Sequence, residues 1–190
     1  MEKQIPLDKP IITLVGRFSK IKGQLTLLKA IQQMTHKEIT CLLIGGKAKP
    51  EYESLLRQEI SHLSAGVDVC CLNLQNSELP LAYALSDVVV SATLVPETFG
   101  LTLVEAGAMK KIVVSFDQGG PKEIIQDKKT GFLIPVGNEQ LLAQALDKVL
   151  SMTSQEKRKM ETAAYERVIQ NFSMEKMCEQ NLKLYQEILK

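Results

Sequence analysis

The chain is predicted to fold as an α/β protein, a three-layer α/β/α sandwich with a parallel sheet of about six strands and C-terminal helices. Three observations predict this class. Short apolar runs alternate with helical patterns over residues 11–150. Several of these runs lack polar alternation, as expected of strands buried on both faces. Residues 155–189 then carry only helical, charged sequence. Repeated βα units of this kind form an open, Rossmann-like sheet with right-handed crossovers.

Each apolar run predicts a strand, and each periodic segment between two runs predicts a helix. The predicted strands are 11–15, 39–44, 67–72, 88–91, 112–115 and 132–134. The predicted helices of the sandwich are 24–34, 51–63, 78–85, 101–109, 122–125 and 139–150. Two closing helices follow at 155–170 and 173–189, and Ser173 is placed to cap the second. Residues 1–10 contain two prolines and are predicted to be a linker, so the domain is predicted to span 11–190.

Composition and charge exclude several classes of function. A chain of 190 residues with 45% hydrophobic content can form one domain with a sizeable core. Its 23 basic and 22 acidic residues nearly cancel, which argues against nucleic acid as a partner. The four cysteines show no CxxC pair and no metal-ligand spacing, so no metal site is predicted. No apolar run reaches the ~18–20 residues that a membrane-spanning helix needs.

Two carboxylates flank the start of the predicted helix after the fourth strand. Glu97 lies in the loop that leaves this strand, and Glu105 lies ~7–8 Å along the axis of the helix. The helix N-terminus between them presents unpaired N–H groups and a partial positive charge, which favour phosphate. Carboxylates accept hydrogen bonds from sugar hydroxyls. The residues therefore predict a ligand in which a sugar is joined to a phosphate.

A basic loop follows the first strand. Gly16 permits a tight turn, and Arg17 and Lys22 can reach over the edge of the sheet. Arginine grips a diphosphate with a bidentate fork, and lysine binds it as a point charge. The loop has neither the three glycines of a dinucleotide fingerprint nor the GxxxxGK[ST] pattern of a P-loop.

Together these motifs resemble the retaining family-4 glycosyltransferases, the glycosyl transferases of group 1. The signature Glu-x-Phe-Gly-x-x-x-x-Glu-Ala stands here at 97–106, and the phosphate motif Gly-Arg-x-x-x-x-Lys-Gly stands at 16–23. A Gly-Gly-Pro-Lys-Glu run at 119–123 also matches the family. The resemblance covers residues 10–190. It implies the GT-B architecture of two facing Rossmann-like domains, of which this chain resembles the C-terminal, donor-binding half.

The resemblance also implies roles for individual residues. Glu97, Arg17 and Lys22 would be catalytic, with Glu97 on the transferred sugar and the two cations on the leaving diphosphate. Glu105 would accept hydrogen bonds from the two ribose hydroxyls. The other residues implied to bind the substrate are Gly16, Phe99, Gly100, Leu101, Thr102, Gly45, Asn73, Leu74, Gly119 and Gly120. The donor, a UDP or GDP sugar, is a substrate, so no cofactor and no metal are expected.

Two of the departures from the family pattern affect the local backbone. Lys110 stands where the helix after Glu105 usually ends in glycine. A helix stop without glycine must put a residue with a side chain in the left-handed conformation or end differently. Asn73 replaces the usual glycine in a loop that flanks the nucleobase, and asparagine tolerates the left-handed conformation better than most residues.

The resemblance implies a longer enzyme whose N-terminal domain is absent here. The chain is then expected to be a fragment cut at the domain boundary, or else a shortened gene product, and to be inactive by itself. The implied partners are the nucleotide-sugar donor, the missing domain and an acceptor saccharide or lipid. The implied setting is synthesis of cell-envelope polysaccharide or lipopolysaccharide, in the cytoplasm or at the inner face of the membrane through the absent domain.

Two other functions stay open at this point. A nucleotide-sugar epimerase has the same double-Rossmann architecture and also binds a nucleotide diphosphate, but it is not expected to carry the Glu-x-Phe-Gly signature. A non-catalytic nucleotide-sugar-binding module is the second alternative, which the short chain favours.

Overall fold

The computed structural model describes residues 5–189 and contains a six-stranded parallel sheet. The strands are β1 (Ile11–Val15), β2 (Ile39–Ile44), β3 (Val67–Leu72), β4 (Val88–Ser91), β5 (Ile112–Phe116) and β6 (Gly131–Ile134). All six predicted strands are confirmed, and the last two are each one residue longer than predicted. The predicted three-layer Rossmann-like class is confirmed with them.

Eight helices are present among the described residues. They are α1 (Gln24–Gln33), α2 (Pro50–Ser61), α3 (Leu79–Leu85), α4 (Leu101–Ala108), α5 (Pro121–Ile124), α6 (Glu139–Ser151), α7 (Ser154–Phe172) and α8 (Met174–Ile188). The closing helices meet at Ser173, whose hydroxyl accepts a hydrogen bond from the Lys176 amide at 3.2 Å. Ser173 is therefore the cap that the sequence predicts, although α7 reaches two residues further than expected.

The order of the strands creates a reversal at the middle of the sheet. The order is β3-β2-β1-β4-β5-β6, so the chain moves outward in one direction from β1 and in the other from β4. These two strands lie side by side, with Ile12 opposite Val88 and Thr13 opposite Val89. In open parallel sheets, ligands bind beyond the carboxyl ends of the strands at such a reversal. The loops after β1 and β4 are therefore the first place to look for a site.

Both faces of the sheet are covered by helices. The larger core lies under α1, α2 and α6, and it includes Leu27, Leu28 and Leu146, all fully buried. The opposite face is covered by α3, α4 and α5, with Tyr83 and Leu103 in its core. The strands alternate their side chains between these two faces, which explains why most strand residues are apolar.

Residues 5–10 form neither helix nor strand, but they contact the domain. The Pro10 carbonyl accepts a hydrogen bond from the Thr40 amide at 2.9 Å, and the Lys9 ammonium lies 2.9 Å from the Asp68 carboxylate. The predicted linker also includes residues 1–4, which lie outside the described residues. The domain boundary at residue 10 therefore stays a prediction.

The last helix leaves an apolar face uncovered. In α8 the side chains of six large apolar residues are at least half exposed, namely Met174, Met177, Leu182, Leu184, Tyr185 and Ile188. Burial of such side chains contributes roughly 1.5–3 kcal/mol each, so an exposed set of this kind is typical of a surface that a partner covers.

Helix α4 ends at Lys110 in the left-handed conformation, with a φ of 54°. The Lys110 amide donates to the Gly107 carbonyl at 3.0 Å, and the Lys111 amide donates to the Ala106 carbonyl at 2.9 Å. This pair of hydrogen bonds is the Schellman motif, which usually has glycine at this position. The Lys110 ammonium also lies 5.0 Å from the centre of the Tyr165 ring. Of the two alternatives that the sequence left open for this helix end, the structure has the first, a residue with a side chain in the left-handed position.

Replacement of Lys110 by glycine is expected to stabilise the domain. A non-glycine residue in the left-handed conformation costs roughly 1–2 kcal/mol, partly offset here by a cation–π contact of roughly 0.5–1 kcal/mol. We expect Lys110→Gly to raise the free energy of unfolding by about 0.5–1 kcal/mol, measured by urea denaturation. Lys110→Ala keeps the strain and loses the contact, so it should be less stable than the natural chain. Equal stability of the two variants would contradict this explanation.

Candidate functional site

The loops after β1 and β4 meet at the reversal of the sheet. The Leu94 amide donates to the Ile21 carbonyl at 2.7 Å, which ties the two loops together directly. The first loop passes from Gly16 through a short 3-10 turn at Lys20–Lys22 into α1. The second runs from β4 to the start of α4. The parallel pairing of β1 with β4 thus places both predicted motifs at one edge.

The predicted catalytic residues Lys22 and Glu97 contact each other across this junction. The Lys22 ammonium donates to Glu97 Oε1, and Thr93 Oγ1 donates to the same oxygen at 3.2 Å. The two side chains are 26% and 21% exposed, so the pair is open to a ligand on one side. Arg17 lies on the same loop as Lys22 and is exposed, and its guanidinium has no hydrogen bond or ion pair with any described residue. The loop therefore offers Lys22, which is held by a carboxylate, and Arg17, which has no partner among the described residues.

The N-terminus of α4 begins beside this pair. Gly100 precedes the helix with a φ of 103°, a conformation that side-chain residues rarely adopt. Phe99 and Leu101 on either side are 44% and 61% exposed. The first amide groups of a helix have no partners within it and carry partial positive charge. The predicted residues Phe99, Gly100, Leu101 and Thr102 thus form a backbone turn that can accept an anion.

The second glutamate of the signature has a buried partner that sequence reasoning missed. Glu105 Oε2 accepts a hydrogen bond of 2.7 Å from the hydroxyl of Tyr83 in α3. Tyr83 is almost fully buried, and burial together with the nearby Glu105 raises the pKa of its phenol, so it remains a donor. Glu105 Oε1 accepts no hydrogen bond from any described residue. Tyr83 therefore orients the carboxylate and leaves one oxygen for a ligand.

The predicted Gly119 and Gly120 lie against the backbone of the signature loop. The Gly120 amide donates to the Glu97 carbonyl at 2.8 Å. A Cβ at Gly120 would lie 1.9 Å from the Phe99 carbonyl oxygen, so the close approach requires glycine. The neighbouring Gln118 side chain donates to the Thr93 carbonyl at 2.5 Å. These contacts fix the loop that carries Glu97 from the side opposite to Lys22.

The predicted nucleobase end of the site lies at the carboxyl ends of β2 and β3. Gly45 and Asn73 line a cavity of about 810 Å³ that lies between this edge of the sheet and α2. Leu74 does not line this cavity and packs in a small apolar cluster with Leu72 and Leu79. Consecutive residues of an extended chain point to opposite faces, which explains the separation of Asn73 from Leu74. Among the described non-glycine residues only Lys110 and Lys128 have a positive φ, so Asn73 needs no left-handed backbone.

A buried glutamine is the other group that sequence reasoning missed. Gln24, the first residue of α1, is fully buried. Its amide lies beneath the loop that carries Arg17, and the hydroxyl of Tyr52 in α2 donates to it at 2.9 Å. A polar residue at the start of an amphipathic helix is typical of an exposed position, so the sequence offers no signal for this contact.

Two further searches of the described residues gave negative results. No group of three or more His, Cys, Asp or Glu side chains within residues 5–189 could hold a metal ion. No helix in the same range is long and apolar enough to cross a membrane.

Comparison with known proteins gives consistent matches along the chain. Residues 1–167 match the family described as Glycosyl transferases group 1. The chain is 32% identical over 187 residues to a trehalose synthase from Thermococcus litoralis, covering 93% of this chain and 44% of that protein.

Solved structures agree with this match. A glycosyltransferase from Rickettsia africae superposes with a TM-score of 0.90 at 34% identity, over 97% of this chain and 49% of that one. HepE from Anabaena, solved in complex with UDP and glucose, has a TM-score of 0.87 at 26% identity, over 95% of this chain and 49% of that one. The chain thus spans about half the length of the proteins it matches. On this evidence, the chain belongs to the glycosyl transferases group 1 family.

Proposed function

We propose that this chain is the donor-binding domain of a glycosyltransferase that moves a sugar from a nucleotide diphosphate to an acceptor hydroxyl. The observation that carries the proposal is the junction of the β1 and β4 loops, where Lys22 contacts Glu97 beside the start of α4. This junction combines cations, helix amides and a carboxylate within one opening. A diphosphate needs the first two, and a sugar hydroxyl needs the third.

In this proposal the diphosphate binds between Arg17, Lys22 and the N-terminus of α4. Negative charge builds on the diphosphate as the bond to the sugar breaks, and cations and helix amides that are already in place stabilise that charge. The Lys22 ammonium then gives up its contact with the Glu97 carboxylate and donates to a phosphate oxygen instead. Glu97, released from this contact, accepts a hydrogen bond from the transferred sugar. No metal is part of the proposed site.

The ribose end of the donor is assigned to Glu105. Its carboxylate is oriented by Tyr83 and has one oxygen without a partner among the described residues, which supports binding of ribose hydroxyls. Glu105 is then occupied by the nucleotide, which argues against the two-carboxylate covalent route of retaining glycosidases. We therefore propose retention by attack of the acceptor on the same face of the sugar that the diphosphate leaves.

UDP is the nucleotide we propose for the donor. HepE, which shares the fold at 26% identity, was solved with UDP and glucose, and this supports a uridine donor over a guanosine donor. The cavity lined by Gly45 and Asn73 provides space at the end of the site where the base is expected.

The complete enzyme is proposed to contain a second domain that binds the acceptor. The coverage of about half of each related protein and the uncovered apolar face of α8 support this. The acceptor is proposed to be a saccharide or lipid of the cell envelope, handled in the cytoplasm or at the inner face of the membrane. Transfer by these residues alone is expected to stay near background, because the proposed second domain would supply the acceptor side of the cleft.

Calorimetric titration with UDP, GDP and ADP tests the donor assignment. We expect UDP to bind most tightly. Glu105→Ala should weaken UDP binding by about 1–3 kcal/mol, since the ribose hydroxyls lose a charged acceptor. Tyr83→Phe is the matched control, because it keeps the Glu105 carboxylate and removes only the hydrogen bond that orients it. Its loss of UDP affinity should therefore be smaller than that of Glu105→Ala. Binding of none of the three nucleotides, or unchanged affinity in Glu105→Ala, would refute the assignment.

Neutralisation of Glu97 should change UDP and UDP-sugar affinities in different ways. In the natural chain, UDP competes with the Glu97 carboxylate for Lys22. We expect Glu97→Gln to bind UDP about three- to tenfold more tightly, the order of a ~1 kcal/mol charge interaction, and to lose preference for UDP-glucose over UDP. Lys22→Met should weaken both ligands. Weaker UDP binding by Glu97→Gln would show that Glu97 does not compete with the diphosphate.

A further inference from the structure

The loop that carries Arg17 rests on a buried side-chain amide. Gln24 Nε2 donates to the Arg17 carbonyl at 2.9 Å and to the Gly16 carbonyl at 3.3 Å. Gln24 itself is fully buried at the start of α1. Its amide hydrogens are therefore used entirely within the protein, on two consecutive peptide groups of the loop. No ligand can reach this side chain, so any role it has is exerted through the loop.

The other end of the same amide is held by a second helix. Gln24 Oε1 accepts a hydrogen bond of 2.9 Å from the hydroxyl of Tyr52, a buried residue of α2. Burial raises the pKa of Tyr52 to about 12, so the phenol stays protonated and keeps donating. The two loop carbonyls can only accept hydrogen bonds, so the NH₂ group must face them and the amide oxygen is left to accept from Tyr52.

The backbone at Gly16 is consequently held on both sides. Its amide donates to the Ile44 carbonyl of β2 at 2.8 Å, and its carbonyl accepts from Gln24. A buried polar group without a hydrogen-bond partner costs roughly 1–3 kcal/mol. Loss of the Gln24 amide would remove a partner from two loop carbonyls and from the Tyr52 hydroxyl. The loop would then have to change its path. Arg17, which has no partner of its own among the described residues, would change position with it.

We propose that Gln24 and Tyr52 are positioning residues that hold the β1–α1 loop in the shape in which Arg17 and Lys22 bind the donor diphosphate. The inference rests on the proposed function, because it assigns a diphosphate to that loop. Its physical basis is pre-organisation: side chains that leave from a fixed backbone lose less conformational freedom when they bind. The contribution should therefore act on the phosphate groups and not on the nucleoside.

Comparison of UDP with UMP isolates this contribution. The two nucleotides differ by the β-phosphate, so the ratio of their affinities measures how well the loop holds the second phosphate. We expect Gln24→Met, which keeps the length of the side chain and removes its amide, to lower this ratio at least fivefold in calorimetric titrations. Binding stoichiometry should remain that of the natural chain. A purely structural role would reduce the fraction of folded protein and weaken both nucleotides equally.

The same helix provides a matched control. Gln32 also joins α1 to α2, through a 2.6 Å hydrogen bond from its amide to Glu59 Oε1, but it does not touch the loop. Gln32→Met should therefore leave the UDP-to-UMP ratio unchanged. Tyr52→Phe removes the hydrogen bond to the Gln24 amide oxygen without opening a cavity. It should lower the UDP-to-UMP affinity ratio about twofold or more. It decides the question alone if Gln24→Met does not fold.

The double variant Gln24→Met with Tyr52→Phe separates stability from positioning. In Gln24→Met the Tyr52 hydroxyl has lost its acceptor, and the double variant removes that hydroxyl. Its thermal stability should therefore be partly restored relative to Gln24→Met, while its UDP-to-UMP affinity ratio stays low. Recovery of both together, or an unchanged ratio in Gln24→Met and Tyr52→Phe, would overturn the inference and leave the donor site standing. Failure of the natural chain to bind UDP would overturn both.

Discussion

The parallel pairing of β1 with β4 is the constraint on which the rest of this structure depends. The chain leaves these adjacent strands in opposite directions, so their following loops meet without a helix between them. The basic loop and the first glutamate of the signature lie 75 residues apart in sequence, yet Lys22 and Glu97 are in contact. Nothing else in the fold would bring these charges together, because each is carried on a short connection fixed by its own strand.

The ion pair between Lys22 and Glu97 is the contact that we propose a diphosphate redistributes. Lys22 is neutralised by Glu97, whereas Arg17 is exposed and unpaired among the described residues. A diphosphate that enters supplies negative charge to both cations and frees the carboxylate for a neutral sugar. The whole chain has 23 basic and 22 acidic residues, so its overall charge does not attract an anionic donor. Local geometry, and not overall charge, has to bring the donor in.

The strands, the helices and the signature residues could be predicted from the sequence. The side chains that support the site from within the packed core could not. Strands whose side chains are buried on both faces of a sheet are mostly apolar, so their positions can be predicted from the sequence. The stop of α4 at Lys110 also follows from local backbone chemistry. The partners of Glu105 and of the β1–α1 loop do not. Tyr83 reaches Glu105 because α3 and α4 share the core on one face of the sheet, and Gln24 turns inward where the loop carbonyls and Tyr52 provide its partners. The Tyr83–Glu105 and Gln24–Tyr52 hydrogen bonds join residues 22 and 28 positions apart, and hydrophobic periodicity carries no information about them.

Backbone amide chemical shifts of the ¹⁵N-labelled chain during titration with UDP test the central claim most directly. We expect the largest changes in two separate segments, 16–23 and 97–105, because the proposed diphosphate site lies between them. Smaller changes should reach residues 119–120, because the Gly120 amide donates to the Glu97 carbonyl. Changes confined to one of the two main segments, or centred on the exposed face of α8, would contradict a diphosphate site at the β1–β4 junction.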